Sequence, residues 1–232
     1  MVKHSYPMRI NVYIAKNHST TRREADELVK NGRVMINGER AILGDKVSAR
    51  DTVKVEIPRK QYHYYAYNKP KGIVTHSPQK GEKDIASSVP LKGVFPLGRL
   101  DKDSHGLIIL TDDGRITERL LSPGGDHEKH YRVTTAYKLR PGFREAVEKG
   151  VDIGGYVTKP CKVHILGDMR FSITLTEGKR HQIKRMCVAL KSDVIDLERT
   201  QILNIKIGSL PRGAYRPIEG VELKEFLQAL GL

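Results

Sequence analysis

The chain has 232 residues, 38% of them hydrophobic and 29% charged, which is enough apolar content to bury a core and excludes a disordered tail. Its length suits a small module followed by a larger body, so two domains are expected. A formal charge of +14 at pH 7 exceeds what solubility requires and points to a polyanionic partner. Nucleic acid is favoured over a membrane, because no apolar run approaches the roughly 20 residues that span a bilayer.

Met1 to Ile10 lacks the charged-then-apolar layout of a signal peptide, so a cytoplasmic protein is expected. Ile10, Tyr13 and Ile14 recur at helical spacing. Thr21 with Glu24 three positions on is the pattern of a capping box; it opens a second helix with the apolar stripe Ala25, Leu28 and Val29, and Gly32 suits its C-terminal cap. Arg33 to Ile36 reads as a short strand entering the tight-turn dipeptide Asn37-Gly38, and alternating Val53, Val55 and Ile57 as a closing strand. Pro58 to Gln61 is polar and breaks the pattern, which sets a boundary between residues 1–60, a basic module with its linker, and residues 61–232, the larger domain.

Tyr62, Tyr64, Tyr65 and Tyr67 follow at once, and alternation along a strand assigns them to core and surface packing ahead of base stacking. Strand patterns at Gly106 to Leu110, Tyr131 to Thr135 and Arg170 to Thr176 then interleave with helical ones, without a regular βαβ rhythm. Leu223, Phe226, Leu227 and Leu230 predict a closing amphipathic helix. The class expected is α+β. Cys161 and Cys187 come with no zinc-ligand spacing, so neither a disulfide framework nor a metal site is implied.

The segment richest in chemistry runs from Gly98 to Leu107. It holds Asp101, Asp103, Arg99, Lys102, His105 and Ser104 between glycines, directly before the apolar Ile108-Ile109-Leu110. A polar loop feeding a buried strand suits active-site residues, because the strand fixes what the loop presents. Taken alone, its aspartates read more readily as turn-formers than as catalytic groups. Gly98-Arg99-Leu100-Asp101, with Ser104, Gly106 and Leu107 at their offsets, resembles the signature loop of the RsuA/RluA group of pseudouridine synthases. Asn68 to Val74 resembles the first motif of that group and Arg180 to Met186 the third. The layout from Arg9 to Ile57, above all Ser19 to Ala25, Gly32-Arg33-Val34 and Asn37-Gly38, resembles the S4 RNA-binding domain. Asp126 to Tyr131 and Val157 to Val163 are similar to the RluF branch, which acts on large-subunit ribosomal RNA.

The resemblance implies an S4-like domain followed by a synthase domain with a mixed, mainly antiparallel sheet and flanking helices. It implies cofactor-free isomerisation of a flipped uridine, with Asp101 as the catalytic carboxylate, Lys184 as its countercharge and Tyr131 stacked on the base near its C5 edge. An aspartate is ionised at neutral pH and can act as nucleophile at C1′ or base at C2′. Arg99 would fill the gap left by the base, bind a phosphate or brace the loop. Lys179, Arg180 and Arg185 would form a basic rim, and Arg22, Arg23, Lys30 and Arg33 the phosphate-binding face of the S4-like module. The expected partner is RNA, foremost 23S ribosomal RNA with transfer RNA as an additional substrate; no membrane and no obligate protein partner are implied. One rival is an S4-type binder or ribosome-assembly protein without catalysis, which leaves the motifs of the larger domain unexplained. The other is a metal-dependent nuclease built on Asp101, Asp103, Asp112 and Asp113, against which Lys102 and Lys184 would act.

Overall fold

The structure is a computed structural model describing residues 6–18, 20–58, 61–122 and 124–232. Residues 1–5 of the expected leader-free terminus, Ser19 of the S4-like stretch, and Arg59 and Lys60 of the expected linker lie outside the described residues. The chain divides into two compact units, Met1–Gln61 and Tyr62–Leu232.

The first unit contains β1 (Met8–Arg9), α1 (Ile10–Asn17), α2 (Arg22–Lys30), β2 (Val34–Ile36), β3 (Glu39–Arg40), β4 (Lys46–Val47) and β5 (Val53–Val55). Thr21 caps α2 in a full capping box: its hydroxyl accepts from the Glu24 amide, and the Glu24 carboxylate accepts from the Thr21 amide. The helix stops in a Schellman motif. Gly32, at φ +68°, donates to Val29 and Arg33 donates to Leu28. Asn37 and Gly38 both have positive φ, as a two-residue turn between twisted strands requires. Ile10, Ile14, Ala25, Leu28, Val29 and Val34 form the core, with Val53 and Val55 packed against it. The closing strand ends at Val55, short of the expectation for Ile57, which is exposed beside Pro58, a residue with no amide to extend a ladder.

The second unit contains β6 (Tyr64–Lys69), α3 (Ile85–Ser88), β7 (Phe95–Leu97), β8 (His105–Thr111), α4 (Arg115–Leu121), β9 (Lys129–Thr135), α5 (Phe143–Lys149), β10 (Lys162–Gly167), β11 (Arg170–Leu175), α6 (Gln182–Ala189), β12 (Val194–Ile202), β13 (Ile205–Lys206), β14 (Tyr215–Pro217) and α7 (Gly220–Ala229). One sheet runs β10-β11-β9-β12-β8-β6-β14, with β13 on β12 and β7 on β8. Its pairs are antiparallel except β12–β8, which is parallel. The fold is α+β, as the irregular interleaving of strands and helices predicts.

β8 is buried along its whole length, and its alternation serves two cores. Leu107 and Ile109 pack with Tyr64, Ala66, Ile116 and the Phe226 and Leu230 of the C-terminal helix; Ile108 and Leu110 pack on the other face with Tyr67, Ile85 and Leu100. A third cluster gathers Val133, Phe171, Ile173 and Leu197 from the sheet under α5 and α6. Tyr131, the third residue of β9 and not the first, touches both this cluster and the one containing Leu100.

Gly106 has φ +108° where β8 meets β12, and a Cβ there would lie 2.7 Å from the Arg199 nitrogen and nearer still to its carbonyl oxygen. Gly106→Ala therefore strains the one parallel ladder, and the expected cost is about 3 kcal/mol or more. Urea denaturation checks this: a lower midpoint with unchanged m is the expected result.

Candidate active site

Because β8 and β12 run parallel, the segments that precede them emerge at the same end of the sheet. The loop 98–104 leads into β8, and α6 leads into β12. This topology brings two sequence-distant motifs together: Lys184 Nζ lies 3.3 Å from Asp101 Oδ2. Lys184 is closer still to Asp103, at 2.5 and 2.7 Å from its two oxygens, so the lysine is shared between two carboxylates. Burial pushes the Asp103 carboxyl upward, but the Lys184 hydrogen bond and charge, with His181, outweigh it and hold Asp103 below the usual range. His181 Nε2 stands 3.5 Å from Asp101 Oδ1, so each Asp101 oxygen faces a different basic side chain.

The loop's backbone is held at almost every residue. Gly72 donates to the Lys102 carbonyl at 2.7 Å and Ser104 to that of Asp101 at 3.1 Å. The buried Thr75 hydroxyl donates to the Leu100 carbonyl and accepts from the Leu100 amide. Two buried cations bind the ends of the loop: Lys69 donates to Ser104 at 2.8 Å and to Pro70 at 2.9 Å, and Arg199 reaches Leu107 at 2.7 Å and Arg99 at 3.4 Å. Lys69, Gly106, Arg199 and Tyr131 form one transverse row across β6, β8, β12 and β9, which puts the side chains of Lys69, Arg199 and Tyr131 on the same face of the sheet. Such bonding pre-organises the loop and fixes where its side chains are presented.

A second network fixes α6. The Glu177 carboxylate accepts from the Gln182 side chain, the Lys159 amide and the Tyr156 hydroxyl, while Gln182 accepts from the Lys179 amide. Lys179 sits over the Tyr156 ring at 4.2 Å. At the start of β8, buried His105 meets Asp196 at 3.1 Å, and Lys71 meets the same carboxylate at 2.6 Å. Thr75, Lys69, Arg199, Glu177 and His181 were not singled out by sequence reasoning. Lys69 carried a usable signal, a lysine ending a strand whose other residues are tyrosines, alanine and asparagine, inside the first motif.

Of the other expected site residues, Arg99 and Arg180 are exposed, and Arg185 donates to the Ile153 carbonyl. Lys179 and Arg180 precede α6 instead of lying on it. In the first unit Arg22, Arg23 and Arg33 are exposed, whereas Lys30 is paired with Glu27 at 2.7 Å. The four carboxylates of the nuclease reading separate to opposite ends of β8: Asp113 is buried against Arg115 and Tyr64, and Asp112 meets His63.

The family model for RNA pseudouridylate synthase matches residues 63–189, and that for the S4 domain residues 8–53. The chain belongs to the RNA pseudouridylate synthase family. Over 230 residues this synthase is 42% identical to the dual-specificity RNA pseudouridine synthase RluF of Salmonella typhi, a match covering 96% of the chain and 79% of the relative. It is 34% identical to the ribosomal small subunit pseudouridine synthase A of Haemophilus influenzae, over 95% of the chain and all of the relative. A crystal structure of a pseudouridylate synthase superposes with a TM-score of 0.70 at 32% identity, covering 96% of this chain and 99% of the other. This synthase is therefore an RNA-modifying isomerase, and the reading as a binder without a catalytic domain is set aside.

Burial pulls Lys69, fully enclosed, down to about 8, with Asp103 and Asp101 opposing the shift and Arg199 adding to it. The unfolded chain then binds that proton more tightly than the folded one, so the Lys69 contribution to stability rises with pH between about 8 and the ordinary lysine range. Compared with Lys69→Met, the wild type should gain about 3 kcal/mol of unfolding free energy from neutral pH to about pH 10.5. A pH-independent difference in denaturant titrations would mean that Lys69 is not desolvated.

Proposed function

We propose that this synthase isomerises a specific uridine of structured RNA to pseudouridine through Asp101, with 23S ribosomal RNA as the preferred target. The observation that carries the reading is the Asp101 carboxylate itself, presented by a loop whose backbone is bonded at Arg99, Leu100, Asp101, Lys102 and Ser104, and faced by Lys184 at 3.3 Å. The reaction breaks the bond from C1′ to N1, turns the base, joins C1′ to C5 and releases the C5 proton. An ionised carboxylate serves as nucleophile at C1′ or base at C2′, and Lys184 offsets the cost of enclosing it with substrate. Tyr131, half-buried on the row shared with Arg199, offers an aromatic face for the flipped base. Arg99 is exposed two residues before Asp101 and is available to the RNA strand. A uridine inside an A-form helix is inaccessible to side chains, so a loop or junction with an extruded base is the fitting substrate.

The large-subunit target is supported by the two segments similar to the RluF branch, which meet in the fold: Lys159 of one pairs with Asp126 of the other at 2.7 Å. The dual-specificity designation of the RluF relatives points to a second RNA substrate, and transfer RNA is the class we propose to test. In this reading residues 1–60 grip the RNA and residues 61–232 carry out the chemistry without a metal or cofactor, in the cytoplasm. Arg22, Arg23 and Arg33, with Lys30 as the paired member of the group, supply phosphate contacts in the first, and Lys179, Arg180 and Arg185 rim the site in the second.

Asp101→Asn keeps the shape of the side chain and removes its charge. Tritium release from RNA labelled at uridine C5 should fall by at least about 10³-fold while RNA affinity stays within about tenfold. Easily measured residual release would remove Asp101 from the chemistry. Replacing Arg22, Arg23 and Arg33 together by alanine should flatten the slope of log affinity against log salt by about 2 to 3, with the single-turnover rate at saturating RNA nearly unchanged. A rate that collapses at saturation would give the first unit a part in building the site.

A further inference from the structure

His181 is the N-cap of α6 and has φ +52°, a left-handed conformation rarely taken by a residue with a side chain. Such strain persists where surrounding contacts impose it, and it collects at functional sites. Here the contacts are plain. The Glu177–Gln182–Lys179 network holds the approach to the helix, and the His181 carbonyl accepts from Arg185 at 2.9 Å. The strained backbone delivers the imidazole to Asp101, with Nε2 3.5 Å from Oδ1, while the side chain stays 46% exposed and open to a ligand.

The isomerisation needs a group that takes the C5 proton after the new carbon–carbon bond forms. Lys184 is a charged donor engaged by Asp101 and Asp103, and Asp103 is committed to Lys184. Lys69 is fully buried with two carbonyl partners. Asp101 is occupied at the sugar in either route. Tyr131 carries a phenol, a weak base at neutral pH. A neutral imidazole has a free lone pair suited to proton transfer near neutral pH.

Building on the isomerase reading above, we propose that His181 is a further catalytic residue, the general base that accepts the C5 proton of the rejoined base. Once C1′ is bonded to C5, the imidazole takes the C5 proton. The electron pair of the broken C5–H bond forms the C5–C6 double bond, and the N1–C6 double-bond pair moves onto N1. N1 takes a proton from water, and the imidazolium returns its own to water, so the hydrogen count of the nucleoside is unchanged. Exposure of the ring explains how a C5 label would reach solvent.

His181→Gly tests this without penalising the fold, because glycine adopts positive φ freely and leaves room for a small base. With RNA unlabelled or deuterated at uridine C5, single-turnover rates are measured at saturating RNA with and without added imidazole. The expected result is a fall of about 10²- to 10⁴-fold, a deuterium isotope effect larger than in the wild type, and recovery of at least about tenfold with imidazole. A variant within about threefold of the wild type overturns the proposal. So does a slow variant with no added isotope effect and no rescue, which would make His181 a positioning group for Asp101. Wild-type protein run in parallel separates this from the isomerase reading, since that reading fails only if the wild type forms no pseudouridine.

Discussion

The structure turns on the parallel pairing of β8 with β12, the one parallel contact in an otherwise antiparallel sheet. It is this pairing that makes the loop ahead of β8 and the helix ahead of β12 share an end of the sheet, and so lets residues 83 positions apart, Asp101 and Lys184, come within 3.3 Å. An antiparallel register would send the two segments to opposite ends. The ladder is tight enough to demand glycine at position 106, where the Arg199 backbone occupies the space of a side chain. The glycine in the signature loop is thus a packing requirement as much as a turn.

Charge does the rest of the positioning. Lys69 and Arg199 are both enclosed, and each meets backbone carbonyls of the loop and of its flanking residues. Burying a cation is costly even when its hydrogen bonds are made, so their placement under the Asp101 loop exchanges stability for a fixed geometry. Lys184 is different. It remains partly exposed and is shared by Asp101 and Asp103.

Much of this was legible in the sequence wherever the determinant is local. The capping box at Thr21 and Glu24, the stop at Gly32, the Asn37-Gly38 turn and the apolar stripe of the last helix are written in residues a few positions apart. The loop motif marked Asp101, and the third motif marked Lys184. What stayed hidden depends on distant pairing. The sharing of Lys184 with Asp103, the clasp of Thr75 on Leu100 and the joining of Glu177 to Tyr156 and Gln182 need the sheet to be assembled first. The positive φ of His181 was equally invisible, because neither glycine nor asparagine advertises it. Ile57 was over-read from simple alternation, which continues past the point where Pro58 ends the ladder.

The central claim, that the carboxylate held at the parallel junction makes pseudouridine at a chosen uridine, is tested most directly in cells. Pseudouridine would be mapped across ribosomal and transfer RNA from the source organism carrying either the wild-type gene or one encoding Asp101→Asn. The account predicts that modification disappears at one or a few uridines, in 23S ribosomal RNA first, while every other site is kept. Identical maps from the two strains, with both proteins present at equal levels, would contradict it.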